Sequence, residues 1–174
     1  MVVFDASFLI PLFDPKANEP EPGARRKLNY LFSELEKTKA RIVVPTPALS
    51  EYLVRAGAAG PKYQAVMSGS SSFRVASFDT RAAVEAATMV KDAIDAGDKR
   101  LGLATGGQQI KFDRQIIAIA RVEGVSRIYS NDPDFKKLVG PNGPQVLAFA
   151  DLPSSPEEDQ KSMNFHKEED EEQK

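Results

Sequence analysis

Short apolar runs alternate along this chain with longer stretches in which apolar residues recur every three or four positions. Residues 2–5 and 42–44 are too short and too apolar for half-exposed strands and read as buried ones. Residues 73–78, 127–130 and 146–149 read as three further strands. Between them the period lengthens. Ser7 to Ile10 predict a short helix limited by Pro11 and Pro15, and Leu28, Leu31, Phe32 and Leu35 mark one face of a helix from about Ala24 to Lys39. Thr46 and Pro47 read as N-cap and first position of a helix ending near Gly57, and Pro61 to Met67 as another short helix. Asp79 caps a long helix over 80–96, whose face is Ala82, Ala83, Ala86, Ala87, Val90 and Ile94. Gly97 to Gly107 reads as a loop, followed by a helix over 112–123 and one more turn capped by Asp132-Pro133. Strands alternating with helices predict an α/β fold: a three-layer α/β/α architecture around a central, mainly parallel sheet of four to five strands.

Composition narrows the possibilities. A chain of 174 residues, 41% hydrophobic and 28% charged, predicts one globular domain over 1–152. Residues 153–174 are polar and acidic with little to bury, and are expected to be disordered. No apolar run approaches the roughly 20 residues that span a bilayer, and the chain enters Val2-Val3-Phe4-Asp5 with no basic, signal-like start. A cytoplasmic protein without a membrane segment is the expectation. There is no cysteine, and His166 is the single histidine, so zinc sites built on thiolate or imidazole are excluded and any metal must be held by oxygen. From Asp151 on lie nine of the 25 acids and three of the 23 bases, which leaves 16 acids and 20 bases in residues 1–150, a net of +4. That balance permits a polyanionic partner.

Four acids then stand out, each where an apolar run gives way: Asp5, Glu51, Asp113 and Asp132. In an open α/β sheet, ligands bind at the carboxyl ends of the strands. Asp5 and Asp132 follow strands, Glu51 lies early in the helix after another strand, and Asp113 opens its helix at the same edge. Each has an ordinary reading too: Asp5 and Asp132 as caps, Asp113 as an acid at a helix N-terminus, Glu51 as a solvated charge. Together they converge on one rim, where carboxylates would repel one another unless a divalent cation sat among them. Mg²⁺ or Mn²⁺ suits an all-oxygen site and supports phosphodiester hydrolysis.

The runs Val2 to Ile10, Ser50-Glu51, Asp113 to Ala120 and Ser130 to Phe135 together resemble the PIN domain, most closely the VapC-type toxin ribonucleases. The resemblance covers roughly residues 1–150. It implies a Mg²⁺- or Mn²⁺-dependent ribonuclease that cuts single-stranded or structured RNA and leaves a 5′-phosphate. It implies also an acidic quartet at Asp5, Glu51, Asp113 and Asp132, with the Ser130 hydroxyl at the rim. A homodimer and an antitoxin protein partner follow from the same likeness. The chain departs from the pattern at Ser7, where the family often has asparagine, and Asp134 is a second acid that competes with Asp132 for the fourth position.

For contacts with an RNA substrate the sequence offers Ser7, Lys111, Arg114 and Ser130, with Arg55 and Arg81 behind them. The competing functions are a non-catalytic PIN-type module that binds RNA or protein, and a phosphotransfer domain using Asp5 as nucleophile. The second usually requires another acid two residues further on, where this chain has Ser7.

Overall fold

Five short strands, β1 (Val2–Phe4), β2 (Ile42–Pro45), β3 (Phe73–Ala76), β4 (Arg127–Tyr129) and β5 (Gln145–Leu147), form one sheet in the order β3-β2-β1-β4-β5. Every pairing is parallel. All residues of β1 and β2 are buried, as expected where helices cover both faces of a parallel sheet. In the computed structural model, residues 1–154 are described; the acidic tail expected from the sequence lies, from residue 155 onward, outside the described residues.

The chain moves one way from β1 through β2 to β3, then returns to the far side of β1 for β4 and β5. Right-handed crossovers in opposite directions put their helices on opposite faces. One group is α1 (Ala6–Phe13), α2 (Ala24–Lys37), α3 (Thr46–Ala56) and α4 (Gly60–Gly69); the other is α5 (Thr80–Asp95), α6 (Gly107–Val122) and α7 (Asp134–Val139). Accordingly α1 packs on α2 and α3, while α6 packs on α5 and α7. The crossovers part at the carboxyl end of β1, which is where an open α/β sheet leaves a crevice. Beneath it Phe8 stacks on Phe149 with ring centroids 4.0 Å apart, and Phe4 meets Tyr129 edge-on at 5.2 Å.

The elements depart from the sequence pattern in four places. α1 continues through Pro11 to Phe13 instead of ending before it. A proline inside a helix removes one amide donor, and here the Arg25 guanidinium secures the helix end by donating to the carbonyls of Pro11 (2.8 Å), Asp14 (3.1 Å) and Ala17 (2.9 Å). Thr46 does not cap α3; its hydroxyl accepts from the Phe78 amide at 3.2 Å and ties the ends of β2 and β3 together. α6 begins at Gly107, five residues before the expected start, so Asp113 lies almost two turns inside it. On α5 the residues turned into the core are Ala82, Met89 and Ala93, whereas Ala83, Ala86, Ala87, Val90 and Ile94 line a surface groove of about 670 Å³. The cap expected at Asp79 is present, its carboxylate accepting from the Ala82 amide at 2.9 Å. Among the described residues no helix is long and apolar enough to cross a membrane.

Candidate functional site

Asp5, Glu51, Asp113 and Asp132 line one cleft of about 850 Å³, together with Ser7, Arg55, Gln109, Phe112 and Asn131. Each acid arrives from a different element. Asp5 is the residue after β1 and the N-cap of α1: its Oδ1 accepts from the amides of Ser7 (2.8 Å) and Phe8 (3.3 Å) and from the Ser7 hydroxyl (2.6 Å). The capping interaction is therefore real, and it occupies one oxygen only. Glu51 stands exposed on the second turn of α3. Asp113 projects from α6 on the stripe of Ile116, Ile117 and Ala120 and is 6% exposed. Asp132 follows β4 and holds the start of α7, its Oδ1 accepting from the Asp134 amide at 2.8 Å.

Burial and crowding make this an electrostatically costly arrangement. Asp113 is pushed up from 3.8 to about 7, first by loss of solvent and then by the negative charges of Asp132, Asp5, Glu51 and Asp134. Its Oδ2 is buried without a hydrogen-bond partner. No helix N-terminus offsets the charge, because α6 starts six residues earlier. Asp5 is likewise raised to about 6 by burial, a rise moderated by hydrogen bonds from Ser130, Ser7 and Phe8. An uncompensated carboxylate in such a position is expensive unless a cation neutralises it.

The donor set is all carboxylate, as a hard divalent cation requires. Among the described residues, no group of three or more Asp, Glu, His or Cys side chains is arranged so that it could hold a metal ion. Several of the carboxylate oxygens are engaged in hydrogen bonds. Asp132 Oδ2 accepts from the Gln109 side chain at 2.8 Å while its Oδ1 serves α7, and Asp5 Oδ1 serves α1. An all-carboxylate donor set is the type that Mg²⁺ or Mn²⁺ takes, and one buried Asp113 oxygen is left without a hydrogen-bond partner.

The remaining candidates separate clearly. Asp134 is not in the cleft; it accepts a hydrogen bond from the Thr105 hydroxyl. Ser130 is 1% exposed, so it cannot meet a substrate: its hydroxyl accepts from the Asp132 amide at 3.1 Å and supports Asp5. Ser7 lines the cleft and braces it, its Oγ accepting from the Asn131 amide at 2.9 Å and so linking the ends of β1 and β4. Lys111 and Arg114 lie on the other side of α6, along the groove against α5. Arg114 is buried and donates to the Lys99 carbonyl at 2.6 Å, which fastens the 97–106 loop. A 100° step per residue turns Arg114 away from the Asp113 face. Arg81 pairs with Asp79 at 3.3 Å, outside the cleft. Arg55 alone of the proposed bases faces the acids. Gln109, Phe112 and Asn131 are not singled out from the sequence: Gln109 falls between the expected loop and the expected helix, and Phe112 is that helix's first residue.

No protein-family model matches the sequence, and no curated protein matches it either. Solved structures do match. A DNA-bound VapBC from Salmonella typhimurium aligns at TM-score 0.53 and 16% identity, over 85% of this chain and 97% of that one. VapBC2 from Rickettsia felis, bound to a DNA fragment from its promoter, aligns at 0.57 and 14%, over 85% and 98%. The sarcin-ricin loop cleaving toxin VapC20 of Mycobacterium tuberculosis aligns at 0.50 and 17%, over 78% and 92%. The chain thus has the PIN-like fold of the VapC toxin structures, built on an all-parallel five-stranded sheet between helical layers.

Proposed function

We propose that the chain is a Mg²⁺- or Mn²⁺-dependent ribonuclease of the VapC type, acting as the toxin of a toxin–antitoxin pair. The observation that carries the reading is the buried Asp113 carboxylate, with one oxygen unpartnered and three other acids on the same cleft. The cation would be held by Asp5, Asp113 and Asp132, with Glu51 completing the set. Such an ion supplies charge neutralisation at phosphate and lowers the pKa of an attacking water. In the hydrolysis the water oxygen bonds to phosphorus, the bond from phosphorus to the 3′ oxygen breaks, and a proton passes to that oxygen. The products are a 3′-hydroxyl and a 5′-phosphate.

The chain's own residues hold this site open and oriented. Ser7 and the Phe8 amide fix Asp5 through one oxygen. The Gln109 side-chain amide orients Asp132 by donating to its Oδ2. Burial keeps Asp113 out of water, where its attraction for a cation is screened least. The antitoxin partner, a homodimeric assembly and a cytoplasmic setting belong to the same reading. Of these, the antitoxin partner draws support from the fold shared with proteins solved as VapBC complexes.

A second reading, a non-catalytic binding module, is favoured by one fact: among the described residues no three acids are arranged to hold a metal ion. Incubation of RNA with the full chain and Mg²⁺ or Mn²⁺, with and without EDTA, separates the two. The nuclease reading expects cleavage that EDTA abolishes and Asp5→Asn removes; cleavage that survives both refutes it.

A further inference from the structure

Phe112 is 52% exposed and lines the acidic cleft, one position before Asp113 on α6. Single exposed apolar side chains are ordinary on a protein surface. This one is distinguished by its company: among the described residues it is the one aromatic ring of the exposed large hydrophobics, and it stands beside four carboxylates. Arg55, also exposed, lies on α3 one turn beyond Glu51 and lines the same cleft. A strand of nucleic acid is a polyanion, so its phosphates gain nothing from Asp5, Glu51, Asp113 and Asp132 themselves. Stacking on a ring is independent of charge and tolerant of sequence. It is therefore the contact by which such a cleft can grip a nucleotide without adding to the repulsion. A base pair inside a duplex already has both faces covered, whereas an unpaired base offers one to the ring.

We propose that Phe112 is a base-binding platform: one base of the RNA stacks on its ring while a neighbouring phosphate is directed to Arg55. This rests on the ribonuclease reading above and specifies how its substrate is held. The platform acts on substrate only, so cation affinity is independent of it.

The test is steady-state cleavage, with Mn²⁺, of a short single-stranded RNA and of a blunt duplex of the same sequence, by the full chain and by Phe112→Ala, Phe112→Leu and Phe112→Tyr. Mn²⁺ binding to each variant is measured by calorimetry. Loss of one aromatic–base stack lowers kcat/KM by about 5- to 150-fold. That loss is expected in Phe112→Ala and Phe112→Leu, with Mn²⁺ affinity unchanged and Phe112→Tyr close to wild type. The duplex is expected to be cut far more slowly by every variant. A scan of single abasic positions along the RNA is expected to reveal one that costs wild type the same factor and costs Phe112→Ala nothing more. Equal kcat/KM in wild type and Phe112→Ala, full activity in Phe112→Leu, or an abasic scan without such a position overturns the platform while leaving the nuclease intact. A wild-type chain that cleaves neither RNA overturns both.

Discussion

Replacing Asp113 by asparagine should stabilise the cation-free protein at alkaline pH, an unusual outcome for a substitution at a buried residue. The side chain keeps its shape and loses its charge. A carboxyl standing at about 7 instead of 3.8 carries roughly 4 kcal/mol of destabilisation once fully ionised. Crowding by the other cleft acids is part of that cost, and solvent reaching the cleft screens some of it, so about 2–4 kcal/mol is the expected return. The sign follows from proton counts. Below about pH 4 Asp113 is neutral in folded and unfolded chains alike, and nothing is lost. Between about 4 and 7 the unfolded chain has released its proton while the folded chain retains it, so stability falls as pH rises. Above 7 the whole penalty is present. Urea unfolding in EDTA should show Asp113→Asn more stable than wild type at pH 8, with the gap closing toward pH 4. For a chain of this size each kcal/mol is worth about 2–4 °C in Tm. Mn²⁺ should then reverse the order by stabilising wild type alone. An asparagine variant less stable than wild type at pH 8, by a margin that does not change with pH, would refute the electrostatic account.

Other perturbations discriminate between neighbouring residues. Asp132→Asn should abolish RNA cleavage, whereas Asp134→Asn should retain most of it and chiefly loosen the contact with Thr105; comparison of kcat/KM decides. Arg114→Ala should cost about 1.5–3 kcal/mol in denaturant unfolding, the value of a charged hydrogen bond lost at the Lys99 carbonyl, and leave the KM for RNA unchanged. A raised KM with unaltered stability would return Arg114 to substrate binding. Phe8→Ala, which empties the space between Phe149, Phe4 and Tyr129, should cost about 3–5 kcal/mol in the same unfolding assay.

The sheet was readable because its strands are buried on both faces and spell themselves as apolar runs; all five sit within two residues of the expected positions. Asp5 and Asp132 were readable for a related reason, since a parallel sheet brings the residues after its strands to one rim; Glu51 reaches the same cleft from the second turn of α3, and Asp113 from almost two turns inside α6 rather than from a helix start. Other features depended on contacts that no local pattern encodes. Pro11 is an ordinary helix stop until Arg25, fourteen residues away, accounts for the carbonyls at the helix end. The alanine stripe of α5 is wide enough to fit the core or a groove, and the register that buries Met89 and Ala93 is chosen by α6. Gly106-Gly107 reads as loop, which hides the first five residues of α6 and with them Gln109. Lys111 and Arg114 were drawn to the site by adjacency to Asp113, although neighbours in a helix face different directions. The division between Asp132 and Asp134 turned on the Thr105 and Gln109 side chains, both from the segment whose course was least legible.

On the proposed function, the four carboxylates form one centre that requires a divalent cation to act. Titrating Mn²⁺ into the full chain, with bound Mn²⁺ and the rate of RNA cleavage recorded on the same samples, tests it most directly. Binding and cleavage should rise together with a common midpoint, and Asp113→Asn should lose both. Cleavage at full rate in EDTA, or an Asp113→Asn variant that binds Mn²⁺ and cuts RNA as wild type does, would contradict it.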